Sequence, residues 1–145
     1  MSLRLGFGSL AVAAVITIGA TSVAHATPEV RITMQNLGTT TMSKTAGSGP
    51  SGTAIVPLPT SVGGLTTTAS PARYSVPLNT AANGVFTYTA TGGHSCGYSY
   101  SRSGSCVLTS TTAVLQTVGS ICSTVSNTVS GYGDTCVNSM TFSLK

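Results

Sequence analysis

The sequence CGYSYSRSGSC at residues 96–106 alternates polar and apolar side chains, passes through a turn rich in Ser and Gly, and ends on a second cysteine. This pattern predicts a β-hairpin. The hairpin opens the last fifty residues of the chain, which contain all of its cysteines: Cys96, Cys106, Cys122 and Cys136. We therefore expect this block to organise the fold.

An even number of cysteines in an exported chain predicts two disulfides, and four cysteines allow three pairings. If the hairpin turn is centred near Ser101, Cys96 lies opposite Cys106, which favours the pairs Cys96 with Cys106 and Cys122 with Cys136. A turn centred later would take Cys96 and Cys106 out of register. The cysteines also lie too close together in sequence for the usual bridge between two sheets.

The first 26 residues have the features of an export signal. Arg4 gives a positive start, residues 5–20 are apolar, and Ala24-His25-Ala26 is a small-x-small cleavage site. We expect residues 1–26 to be a signal peptide and residues 27–145 a single secreted β-rich domain, located in the periplasm, outside the cell or at its surface. An uncleaved membrane anchor over residues 5–24 is the alternative. After cleavage, no membrane span is expected.

The composition of residues 27–145 is poor in charge. Five positive and two negative side chains give a net charge of +3, and the positive ones are scattered singly, which excludes the basic patch that nucleic acid requires. Ser and Thr together make up 41 of these 119 residues. A surface of hydroxyls with little charge repulsion favours close packing against itself or another surface. The alternatives are a monomeric secreted domain or an O-glycosylated stalk.

Several segments have the alternation typical of strands. It is clearest at residues 29–36, at residues 85–91 with Phe86 and Tyr88 on the core side, and in the final strand around residues 140–144. Asn83-Gly84 predicts a tight hairpin turn before the second of these.

Two segments before that turn are weaker. Residues 54–59 contain two prolines and therefore predict an edge strand or an extended crossing segment. Residues 37–53 predict a long loop, or a weak edge strand around residues 39–42.

Residues 113–125 break the β pattern, because their apolar side chains recur at three- and four-residue spacing. That spacing predicts one face of a helix, whereas the residue types favour two short strands. The predicted fold is mainly β: a disulfide-bonded antiparallel β-sandwich of about seven strands, with at most one short helix at residues 113–125.

Groups for acid–base catalysis are scarce. Residues 27–145 contain two carboxylates, Glu29 and Asp134, and one histidine, His94, without a G-x-S-x-G elbow or a phosphate loop. We therefore expect no enzyme, no cofactor and no metal site.

A remote alternative depends on the cleavage site. Cleavage after Ala24 would make His25 the first residue, and with His94 it would resemble the histidine brace of lytic polysaccharide monooxygenases, which implies a copper enzyme. The resemblance covers these two histidines only.

The composition leads to two functional hypotheses. The first is an exported structural or adhesive protein of the cell surface or exterior, which contacts itself as a homo-oligomer or fibre, or contacts another surface or glycan. The second is a soluble secreted binding module or effector, for example for carbohydrate, that uses Tyr98, Tyr100 and Tyr132 as ligand contacts. Tyr98 and Tyr100 fit core packing as well. The file Thr87, Thr89 and Thr91 would suit a flat ordered surface, although Thr is also a common strand residue.

Overall fold

The computed structural model describes residues 27–145, which form two β-sheets packed face to face. The signal-peptide and cleavage-site predictions lie outside these residues. In chain order the strands are β1 (Glu29–Asn36), β2 (Met42–Pro50), β3 (Thr53–Val56), β4 (Ser61–Val62), β5 (Thr66–Thr67), β6 (Ala72–Ser75), β7 (Ala82–Ala90), β8 (Ser95–Arg102), β9 (Leu108–Leu115), β10 (Cys122–Ser130) and β11 (Val137–Leu144), with one 3-10 turn at Gly133–Thr135.

Sheet A has the order β10-β11-β1-β6-β3, with the short β5 also paired to β1. Sheet B has the order β4-β2-β7-β8-β9. The predicted mainly β, disulfide-bonded sandwich is confirmed. The described residues contain eleven strands rather than about seven, because Gly- and Pro-rich connections contribute the short strands β3, β4 and β5. One pair, β1 with β11, is parallel, whereas the other pairs are antiparallel.

Strand β1 shows why alternating apolar and polar residues predict a strand correctly when one face of that strand is buried. Val30, Ile32 and Met34 are completely buried, while Arg31 and Thr33 between them are partly exposed. The strand lies in the middle of sheet A and packs its apolar face on sheet B. The same logic holds for β7, whose Phe86 and Tyr88 are in the core as predicted.

An aromatic cluster joins the two sheets in the core. Phe86 and Tyr98 of sheet B pack against Phe142 of sheet A, with ring centroids 5.7 Å and 5.1 Å from that of Phe142. Tyr98 also donates a hydrogen bond from its hydroxyl to the carbonyl of Ser143 in sheet A, at 2.9 Å. Burial of this polar tip is therefore compensated.

The predicted hairpin turn was wrong. Asn83-Gly84 lies inside β7, not in a hairpin turn. Gly84 is needed for close packing instead, because a Cβ atom there would lie 2.6 Å from Cε1 of Tyr100 and 3.1 Å from Cα of Pro50. The segment 37–53, predicted as a loop or a weak edge strand, contains the strand β2, which lies inside sheet B between β4 and β7 and has two register shifts along its ladder with β7.

Of the two alternatives for residues 113–125, the helix is wrong and the two strands are correct. These residues form the end of β9, a connecting loop at residues 116–121 and the beginning of β10. β9 and β10 are the last strands of their sheets, so both of their faces are largely exposed. In a strand exposed on both faces, apolar and polar residues need not alternate. The three- and four-residue spacing of the apolar residues therefore did not indicate a helix. No helix among residues 27–145 is long and apolar enough to span a membrane.

The disulfides pair Cys96 with Cys122 and Cys106 with Cys136, with Cα–Cα distances of 5.7 and 6.3 Å. The preferred pairing was therefore wrong. The hairpin turn covers residues 103–107, so Cys96 lies opposite Leu115 and Cys106 lies beyond the end of β8. Each disulfide joins the sheet B hairpin to the β10/β11 part of sheet A, so the expectation that these cysteines would not bridge the sheets was wrong as well.

Candidate functional site: the β9/β10 side

The carboxylate of Glu29 is held by two arginines on the outer face of sheet A. Arg31 Nε lies 2.9 Å from Glu29 Oε2, and Arg73 contacts both carboxylate oxygens. The hydrogen bond from Arg73 is the main cause of a pKa for Glu29 below its ordinary value. A general acid needs the opposite shift, so the chemistry of this carboxyl is that of an ion pair.

His94 is exposed in the turn between β7 and β8, beside a shallow pocket. The other residues that line this pocket include Thr40, Thr91 and Lys145, but no Asp or Glu. A Ser/His/acid triad is therefore not assembled in this pocket. Among the described residues, no three His, Cys, Asp or Glu side chains come together as a metal site, and His25 lies outside those residues.

The three tyrosines predicted as ligand contacts lie in different environments. Tyr98 and Tyr100 are buried at 1% and 2% exposure, and burial raises the pKa of both phenols. Neither ring can stack on a ligand from solvent. Tyr132 is 92% exposed in the connection between β10 and β11. The structure therefore does not bring the three rings together as one platform.

The outer face of sheet B carries the predicted threonine file in part. Thr89 shares hydrogen bonds with the hydroxyls of Thr45 and Ser95, at 2.9 and 3.0 Å. Ser99 and Thr112 share another at 2.6 Å. These hydroxyls pair across the strands, so part of their hydrogen-bonding capacity is used within the protein.

The largest group of exposed apolar side chains lies around β9 and β10. Residues 103–133 contain no Asp, Glu, Lys, Arg or His. The same part of the chain holds eight of the fourteen large apolar side chains that are exposed among the described residues: Val107, Val114, Leu115, Val118, Ile121, Val125, Val129 and Tyr132. We call the surface formed by β9, β10 and the loop at residues 116–121 the β9/β10 side.

The β9/β10 side is where both sheets end. β9 has a hydrogen-bonded neighbour only in β8, and β10 only in β11. The two strands approach each other across the sandwich, where Asn127 donates a hydrogen bond to the hydroxyl of Thr111 at 2.8 Å. Two long strand edges are thus exposed side by side.

The two disulfides hold the ends of the β9/β10 side. Cys96–Cys122 lies where β9 ends and β10 begins, and Cys106–Cys136 lies before β9 and after β10. Next to the second disulfide, the buried Arg102 donates to Asn138 Oδ1 at 3.1 Å, and Asn138 donates to the carbonyl of Cys106 at 3.1 Å. Burial lowers the pKa of Arg102. This side is therefore fixed at both ends, although it is exposed.

Sequence reasoning missed this surface because it left residues 113–125 open between a helix and two short strands. One signal was available in the sequence: a solvent-facing helix normally carries charged side chains on its polar face, and residues 103–133 have none. The absence of charged residues from 103–133 therefore argued against a solvent-facing helix there.

The chain thus belongs to the class of disulfide-bonded β-sandwiches in which one side carries two uncovered strand edges. No model of a known protein family matches it, and no curated protein sequence is significantly similar to it.

Proposed function

We propose that this chain is an exported structural or adhesive protein of the cell surface or exterior, which acts by self-association or by contact with another surface and performs no catalysis. The observation that carries the proposal is the charge-free β9/β10 side, with two long strand edges and exposed apolar side chains. Natural proteins normally protect such edges with charges, prolines or covering segments. β9 and β10 contain no charged residue and no proline, so their edges are suited to contact with another protein or surface.

The disulfides support the same proposal. Two bridges between the sheets are typical of proteins that function in an oxidising compartment. They hold the β9/β10 side at both of its ends and so reduce the entropy that its residues lose on binding.

The experiment is a size measurement on the exported protein with both disulfides intact. Gel filtration with light scattering, combined with electron microscopy of the same fractions, would show oligomers, polymers or envelope-attached material if the proposal is right. A monomer of about 12 kDa that stays monomeric as its concentration rises, and that is recovered from the medium without binding to cells, would contradict it.

The second hypothesis, a secreted carbohydrate-binding module, is supported by one side chain, the exposed Tyr132. A glycan array would test it by comparing the unmodified protein with a Tyr132→Ala variant. Binding that is lost in the variant would favour the module, since stacking of a sugar on the ring is the interaction removed. Val118→Ala is the control, because Val118 is 96% exposed and its truncation removes an exposed apolar side chain that has no aromatic ring.

A further inference from the structure

We infer that the β9/β10 side is the interface with a second copy of this chain, which meets it edge to edge so that both sheets continue from one copy into the other. The inference rests on the proposed function and names its partner and its surface. Its starting point is the two exposed backbone edges, whose amides and carbonyls another strand can pair in a regular row.

The direction of the free backbone groups follows from the ladder between β8 and β9. Gln116 donates its backbone amide to the carbonyl of Ser95 at 2.9 Å. In an antiparallel pair such bonds occur at every second residue, so the amides of Thr111, Ala113 and Leu115 point away from β8 and towards the open edge. Three donors at two-residue spacing match the spacing of acceptors on an incoming antiparallel strand.

The partner has to satisfy a demanding shape. β9 and β10 are eight and nine residues long, or about 28 Å at ~3.3 Å per residue. They lie across the sandwich from each other, with Cα atoms of the two strands within 8 Å. An occupant of the whole surface must therefore present two uncharged strands of this length at this separation. The β9/β10 side of another copy does so.

Symmetry and charge favour the same partner. A two-fold axis brings identical surfaces together. If the axis is perpendicular to the sheets, each edge strand pairs with its own copy in antiparallel orientation, which is the more stable arrangement. Because residues 103–133 contain no charged side chain, two identical surfaces meet there without like-charge repulsion.

The area is sufficient for a specific dimer. With the side chains that project beyond the two sheets, the surface measures roughly 28 by 20 Å, so two copies would bury about 1,100 Å² in total. Specific interfaces bury at least about 1,000 Å². The exposed Val125 would lie near the centre of the buried area, with Leu115 and Val129 towards its two ends.

The test uses lysine substitutions of matched exposure. Leu115→Lys on β9 and Val129→Lys on β10 place a positive charge on the interface, at side chains that are 50% and 48% exposed. Ile55→Lys is the control, since Ile55 is 49% exposed on β3 at the opposite edge of sheet A and changes the net charge equally. Each variant is checked for native circular dichroism and intact disulfides before its association is measured by sedimentation equilibrium.

We expect the dissociation constant to rise at least about tenfold for Leu115→Lys and for Val129→Lys, and to change less than about twofold for Ile55→Lys. If the edge variants associate as tightly as the unmodified protein, or if Ile55→Lys is the variant that weakens association, this interface is wrong and the proposed function stands. If the unmodified protein does not associate at any concentration, self-association itself fails.

Hydrogen exchange gives a second measurement that needs no substitution. Raising the protein concentration should slow exchange of the amides of Thr111, Ala113 and Leu115, while the amides of β3 remain unchanged. Concentration-dependent protection of β3 without protection of β9 would overturn the inference.

Discussion

The two ends of each sheet are built in opposite ways. At one end lie β3 and β4, which are four and two residues long and are separated by a segment containing Pro57 and Pro59. At the other end lie β9 and β10, which are eight and nine residues long and contain neither proline nor charge. Short strands and prolines discourage further pairing, whereas long uncharged strands permit it. The fold therefore discourages pairing with a further strand at the β3/β4 end and permits it at the β9/β10 side.

The two sides are also stabilised differently. All six prolines lie between residues 28 and 77, and all four cysteines lie after residue 95. Prolines restrict the unfolded chain in the first half, and disulfides restrict it in the second. The exposed strands β9 and β10 bury few side chains in the core. We therefore expect the disulfides to stabilise this side, as core packing does in the rest of the molecule.

The largest effect is expected when a cross-link of the β9/β10 side is removed. The double variant Cys96→Ala and Cys122→Ala opens a link between residues 26 apart, which should lower the free energy of unfolding by about 3 kcal/mol. Urea denaturation followed by circular dichroism would measure it. Cys106→Ala with Cys136→Ala, for a separation of 30 residues, should give a similar loss. Losses below about 1 kcal/mol for both would show that packing alone holds this side.

A smaller effect is expected from Gly84, on β7 beside Pro50. The Cβ atom of Gly84→Ala would meet the ring of Tyr100 and the backbone of Pro50, and we expect a loss of about 1–3 kcal/mol from overpacking. Gly63→Ala is the control, because the nearest atom to a Cβ there is Thr66 Oγ1 at 3.6 Å. Thermal unfolding of the two variants would compare them. Equal melting temperatures would mean that the packing next to Pro50 is looser than the structure shows.

The ion-pair cluster on the outer face of sheet A should give a smaller effect that depends on pH. Arg73 and Arg31 hold the pKa of Glu29 below its ordinary value of 4.5, so the carboxylate binds its proton less readily in the folded protein than in the unfolded one. The resulting stability is present above about pH 4.5 and is lost as the pH falls through the folded pKa. Since both arginines are partly exposed, we expect at most about 1 kcal/mol.

Unfolding by urea at pH 7 and at pH 3, for the unmodified protein and for Glu29→Gln, would measure this contribution. The variant should lose the part of the pH dependence that belongs to Glu29. An unchanged pH dependence would show that the cluster contributes nothing to the stability of sheet A.

The same contrast explains which parts of the fold the sequence could predict. β1 and β7 were predictable because one face of each is buried, so apolar and polar side chains must alternate along them. β9 and β10 were not predictable in this way, because an edge strand exposed on both faces is free of that requirement. Asn83-Gly84 misled because the glycine serves close packing rather than a turn.

The disulfide pairing and the β9/β10 side could not be predicted from the pattern of residue types along the sequence. A turn over residues 103–107 moves Cys106 past the end of β8 and makes Cys136 its partner. Local spacing does not encode which strands of two different sheets come together, so the pairing required the topology. The charge-poor composition was correctly noted, but its concentration in one surface appears only when residues 103–133 are placed on the two edges.

The smallest effect is expected from salt on the association of the unmodified protein. Screening acts on charges, and residues 103–133 supply none, so raising sodium chloride from about 0.05 to 0.5 M should change the dissociation constant less than about twofold. Leu115→Lys should also respond weakly to salt, because antiparallel pairing places the two added ammonium groups near opposite ends of the interface and the cost of each charge is its desolvation. Sedimentation equilibrium at both salt concentrations would measure the two proteins side by side. A strong salt dependence of the unmodified protein would place its contact on the charged face of sheet A around Arg31 and Arg73, and the β9/β10 side would then be the wrong surface.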